Sequence, residues 1–127
     1  MSDSGALYHW SARDLAAAVR EREISPVDII DAIEARVETT EPVLNAFITL
    51  DFERAREAAA AAEREVASGR PLGPLHGVPF SVKDLLDTEG LRTTFGSFAF
   101  EHNVPGRSVA AVRRLAEAGA VLFGKTT

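Results

Sequence analysis

Cysteine is absent from the 127 residues, which rules out disulfides, thiolate nucleophiles and cysteine-based zinc sites. Histidine is scarce: His9, His76 and His102 are scattered along the chain without metal-ligand spacing. No run approaches the roughly 18 consecutive apolar residues of a membrane-spanning helix. Residues 1–20 carry Asp3, Arg13, Asp14 and Arg20 and no long apolar stretch, unlike a signal peptide. Acidic residues outnumber basic ones, for a net charge of −5, and no basic stripe stands out, which argues against a nucleic-acid partner. With 46% hydrophobic and 26% charged residues, the expectation is a globular, cytoplasmic protein of one domain's length.

Another scarcity lies within the positive charge. Of the 14 basic residues only two are lysines, Lys83 and Lys125, and both adjoin apolar, strand-like runs. Lysine can lose its proton inside a protein whereas arginine effectively cannot, so an isolated lysine in an arginine-rich chain invites a reason.

Helix signals come first along the chain. Ser11 reads as the cap of a helix with Leu15, Ala16 and Val19 on its apolar side. "SPVD" places Ser25 as a second cap, Pro26 at the first helical position and Asp28 in the first turn. That helix buries Val27, Ile30, Ile33 and Val37 and should end before Pro42. "NAFITL" (45–50) reads as a strand. Asp51 opens a long alanine-rich helix ending near Ser68, with Gly69 as its stop. Its Ala/Glu/Arg composition reads as a solvated helix with little core, although Phe52, Ala55, Ala59, Ala62 and Val66 could form a buried side. "SGRPLGPLHG" cannot be helical. "VPFSVK" alternates as a strand does, with Pro79 pointing to a sheet edge. "TTFGSFAF" reads as loop or short strand. Ser108 caps a last helix with Val109, Val112, Leu115 and Ala116 apolar, and Gly119 stops it.

The final residues, "GAVLFGKTT", match the phosphate-binding pattern G-x-x-x-x-G-K-[ST]. The context is wrong for it. That motif needs a strand, a glycine loop and then a helix N-terminus. Here the first glycine follows a helix, and Ala120, Val121, Leu122 and Phe123 form a continuous apolar run suited to a buried strand.

The segment "GPLHGVPFSVKDLLDTEGLRTTFGS" (73–97) resembles the amidase signature family, with its G-P-L-H-G-hydrophobic-P-x-x-hydrophobic-K-D run followed by G-x-x-T-T-x-G-S. "AAVRRLAEAGAVLFGKT" is similar to the family's next helix and strand, and the N-terminal helices are similar to its helical start, so the resemblance covers almost the whole chain. It implies an α/β fold: the N-terminal part of the amidase-signature fold, helices packed on an incomplete mixed β-sheet. Residues 1–127 are then the N-terminal portion of one domain, with 1–70 mainly helical and 71–127 a strand-loop-helix-strand carrying the lysine motif. It also implies hydrolysis of small-molecule carboxamides, or transfer of their nitrogen, through an acyl-enzyme on serine. A lysine acts as base through a second, bridging serine, and no cofactor or metal is required. Lys83 stands at the position of that catalytic lysine. A lysine is a base near neutral pH only where its surroundings disfavour the ammonium form, as dry apolar walls do. Val82 and Leu85 are candidates for part of those walls.

Both family serines lie in a Gly/Ser-rich stretch beyond the G-K-T strand, and residues 1–127 hold no match to it. Ser81, two residues from Lys83 on one strand face, and Ser97 lack evident oxyanion donors. The resemblance therefore implies that these residues do not turn over alone. A truncated, non-enzymatic or partner-binding product is the alternative. Asp84 reads as orienting backbone or balancing charge, Lys125 as structural or charge-balancing, and His76 as a loop-shaping hydrogen-bonding group. A sheet ending at Thr127 would leave strand edges unpaired, which predicts loose packing or poor solubility.

Overall fold

The computed structural model describes residues 6–127. After a 3-10 turn at Leu7–His9 come α1 (Ala12–Arg20), α2 (Pro26–Leu44), β1 (Phe47–Leu50), α3 (Phe52–Ser68), β2 (Pro79–Lys83), a second 3-10 turn at Phe98–Phe100 where the sequence suggested loop or short strand, α4 (Ala110–Glu117) and β3 (Val121–Thr126). The three strands form one mixed sheet in the order β1-β3-β2. β3 runs antiparallel to β1 and parallel to β2. The α/β expectation holds, and Pro79 does begin a strand on the sheet edge among the described residues. No helix among them is long and apolar enough to cross a membrane.

Local signals explain the helix starts. Ser11 Oγ accepts from Asp14 N–H, Ser25 Oγ from Val27 N–H, and Asp51 from Arg54 N–H at 3.0 Å, each satisfying a backbone donor that the first helical turn leaves free. Three expectations need correction. α2 does not stop before Pro42 but continues to Leu44, with Asn45 left-handed at φ 47. Proline lacks the N–H that would bond back one turn, and its ring crowds the preceding residue and the carbonyl four residues earlier. Here it sits in the last turn, where Asn45 N–H still reaches Glu41 O at 2.8 Å and the Glu41 carboxylate takes Phe47 N–H at 2.9 Å.

The second correction concerns α3, which is a core helix. Ala55 and Ala59 are fully buried and join Ile30, Val121 and Phe123 in one apolar cluster, against which Phe47 and Phe52 pack. Small side chains let the α3 backbone approach both α2 and β3, so alanine here signals proximity rather than solvation. Ala59→Leu should therefore destabilise the fold by about 1–3 kcal/mol through overpacking, read as a shift in the urea midpoint. A comparable change at exposed Ala58 should leave it within about 0.5 kcal/mol.

Third, Ser108 does not cap α4. The residue before the helix is Val109, which provides no side-chain cap. Ser108 Oγ instead accepts from Glu89 N–H at 2.8 Å, one residue too early for the helix and well placed for the loop beside it. Of the apolar positions expected on α4, only Val112 is buried.

Candidate active site

The loop after α3 is fastened to the end of α4, and that sets the start of β2. Leu75 N–H reaches Ala118 O at 3.0 Å and Gly77 N–H reaches Gly119 O at 2.9 Å. A Cβ on Gly73 would lie 2.2 Å from Ala118 O, and Gly119 has φ +92 with its Cβ position 2.8 Å from His76 Cα. Side chains do not fit there. Buried His76 sets Nε2 2.8 Å from Ala62 O, which makes Nε2 the protonated nitrogen and joins the loop to α3. The G-P-L-H-G run thus builds the platform from which β2 departs.

β2 ends on Lys83, whose side chain is exposed and makes no hydrogen bond or ion pair among the described residues. It lines a shallow cleft of about 150 Å³ with Ile48, Asp84, Leu85, Phe95, Gly96 and Thr127. Leu85 forms part of the wall, as expected. Val82 does not: it is buried, and strand alternation turns it to the side opposite Lys83. Ser81 is also exposed, and no hydrogen bond joins it to Lys83.

The turn beyond Lys83 is closed by Asp84. Its carboxylate accepts Thr94 N–H at 3.0 Å and the Thr94 hydroxyl, while its backbone O accepts Phe95 N–H at 3.0 Å. Phe95 is thereby held at φ 55, next to Gly96 at φ 68. A left-handed non-glycine residue costs on the order of 1–3 kcal/mol and persists only where its neighbours impose it. Asp84 imposes it, on the wall of the cleft that contains Lys83.

Behind that loop stands Lys125, expected to be structural or charge-balancing, with partners the sequence did not reveal. Lys125 is 0% exposed. Its Nζ donates to Leu86 O at 2.5 Å, Thr88 Oγ1 at 2.7 Å and Thr93 Oγ1 at 2.8 Å. Burial lowers its pKa from the ordinary lysine value, against the opposing pull of Asp84 and then Asp87. Arg92 adds a second bolt, reaching Ile48 O and Glu101 O, both at 3.0 Å. The sequence signals for this network were the scarcity of lysine, which marked Lys125 as structural or charge-balancing, and the adjacent Thr93 and Thr94 of the G-x-x-T-T-x-G-S run. These positions also dispose of the phosphate-binding pattern. Residues 121–126 are strand β3, and the lysine of the pattern is committed inward.

Comparison with known proteins now decides the lineage. The profile of the family described as Amidase matches residues 28–127. The chain belongs to the amidase family. It is 41% identical over 119 residues to an acylamidase of Rhodococcus erythropolis, covering 93% of this chain and 25% of that protein. It is 40% identical over 121 residues to one of the subunits of the glutamyl-tRNA(Gln) amidotransferase of Lachnospira eligens, covering 95% of this chain and 25% of that one. The solved peptide amidase of Stenotrophomonas maltophilia superposes with a TM-score of 0.87 at 34% identity, over 94% of this chain and 25% of its own. A bacterial aryl acylamidase of the amidase signature enzymes superposes with a TM-score of 0.86 at 30% identity, over 93% and 25%. The four helices and small mixed sheet match amidase-signature structures, and the chain spans about a quarter of the length of these relatives.

Proposed function

We propose that residues 1–127 are the N-terminal, lysine-bearing portion of one amidase-signature domain that cleaves carboxamides or transfers their nitrogen, with Lys83 as the base. The observation that carries this reading is the placement of Lys83. In a chain of amidase lineage it ends an edge strand, projects unpaired into a cleft, and faces a loop held in a strained conformation. A side chain with no structural bond is available for chemistry.

In this reading a neutral Lys83 amine takes the proton of a bridging serine, which takes that of the nucleophilic serine as its oxygen adds to the carbonyl. Collapse of the tetrahedral intermediate expels ammonia or an amine, protonated along the same path, and water or another nucleophile frees the acyl group. The serines and oxyanion donors belong to chain beyond residues 1–127, whose further portion also supplies the dry walls the cleft lacks. These 127 residues alone are accordingly inactive.

Hydroxylamine tests the reaction class. Added to the naturally produced protein turning over a simple aliphatic or aryl carboxamide, it should divert the acyl group to hydroxamate in competition with water. Residues 1–127 by themselves should form none. Ammonia release with no hydroxamate at any hydroxylamine concentration would remove the acyl-enzyme, and hydroxamate formation by the 127 residues alone would place the nucleophile inside them.

A further inference from the structure

Lys125 is the least exposed charged side chain among the described residues, and the proposed reaction makes no use of it. The protons around it show what the site is built to hold. The Thr88 hydroxyl donates to Leu86 O at 3.0 Å and the Thr93 hydroxyl to Leu91 O at 3.1 Å. With those protons committed, both hydroxyls present lone pairs to Nζ, as does Leu86 O. Three acceptors and no donor suit an ammonium group, which has three N–H bonds and no lone pair. A neutral amine there would leave its own lone pair facing other lone pairs.

The three acceptors are not spread through the core. Leu86 closes the turn that follows Lys83, its N–H bonded to Lys83 O at 3.0 Å. Thr93 precedes Thr94, the residue that holds the Asp84 carboxylate. Thr93 N–H and C=O are themselves paired with Asn103 at 2.9 Å each. Lys125 therefore grips both limbs of the 84–96 loop at once, from a strand paired on both sides.

We infer that the Lys125 ammonium is a positioning group for Lys83: its three-way tie fixes the turn that aims Lys83 and the Phe95–Gly96 wall of the cleft. This rests on the reading of Lys83 as base. The two lysines divide the work, one protonated and buried to hold the loop, the other exposed to react.

The test uses the naturally produced protein, with amide hydrogen exchange resolved by segment and carboxamide kinetics measured together. Lys125→Met removes all three bonds and is the variant most liable to unfold, so Thr93→Val, which removes one of them together with the Thr93–Leu91 O bond, carries the decision. Exchange in residues 84–97 should speed roughly ten- to hundredfold, the equivalent of one lost hydrogen bond to a charged group. Exchange in α1 and α2 should stay as it was. The kcat for carboxamide should fall while KM changes little, and Thr93→Ser, which returns the hydroxyl, should restore both exchange and kcat. Faster exchange throughout the molecule, unchanged kcat despite a loosened loop, or failure of the serine variant to restore would each overturn the inference. Loss of turnover in Lys83→Ala alongside undisturbed 84–97 exchange in Thr93→Val overturns the tie alone. Normal turnover in Lys83→Ala overturns the base, and this inference with it.

Discussion

Lys83→Ala is expected to lower kcat/KM for a carboxamide by about 10²–10⁴-fold, the range over which a positioned general base accelerates a reaction. Its effect on the stability of residues 1–127 should be small, within about 0.5 kcal/mol, because there the side chain is exposed and unpaired. That separation makes the experiment informative, since lost activity cannot be attributed to lost folding. Lys83→Arg sharpens it. Arginine keeps the positive charge and the reach but does not give up its proton near neutral pH. If Lys83 acts as a base, Lys83→Arg should be as inactive as Lys83→Ala; if it acts only as a positive charge, Lys83→Arg should retain most of the rate. The measurement is kcat/KM of both variants beside their urea midpoints.

Lys125→Met should show the converse, a loss of roughly 3–5 kcal/mol in unfolding free energy. Methionine fills similar space, so the loss does not come from a cavity. It comes from Leu86 O, Thr88 Oγ1 and Thr93 Oγ1, each losing a charged donor in a buried setting where an unpaired polar atom costs about 1–3 kcal/mol. Nearby Asp84 and Asp87 lose a compensating charge as well. Adding Thr88→Val and Thr93→Val to Lys125→Met should recover part of the stability, because it replaces two orphaned acceptors by methyl groups. Leu86 O and Leu91 O, which lose the Thr88 and Thr93 hydroxyl donors, keep the remainder of the deficit. Urea denaturation of the single and triple variants measures both effects, and a triple variant no more stable than Lys125→Met would mean that the hydroxyls do not matter.

Much of the fold was legible because its punctuation is local. Ser11, Ser25, Asp51, Gly69 and Gly119 bound helices where capping and left-handed geometry demand them. Misreadings arose where the deciding partner was distant in sequence. The alanines of α3 look solvated until β3, more than fifty residues later, is laid against them. Ser108 looks like a cap until Glu89 claims its hydroxyl. Pro42 looks like a terminator because proline disfavours helical geometry in the residue before it, a local preference that the bonds of the last turn of α2 outweigh. The candidate site divides in the same way. Lys83 was visible as one of two lysines, in a motif that also supplied Asp84 and the loop glycines. The partners of Lys125 lie 32 to 39 residues away, so nothing local marks it as a tie. The face of Val82 was legible, since alternation along β2 already sets it opposite Lys83, and naming it for the cleft wall conflicted with that.

The order β1-β3-β2 bears on how the chain is made. Of the three described strands the middle one is synthesised after its two neighbours, so β1 and β2 leave the ribosome before the strand that pairs with both. α2 and α3 are joined through only a short strand and meet through contacts nearer in sequence, which form sooner than distant ones. The nascent chain accordingly passes through a stage with a helical hairpin beside two waiting strand edges, a species prone to wrong association. Slow elongation around codons 110–126 would prolong that stage, and a chaperone that covers β2 would have to release it when Val121 arrives.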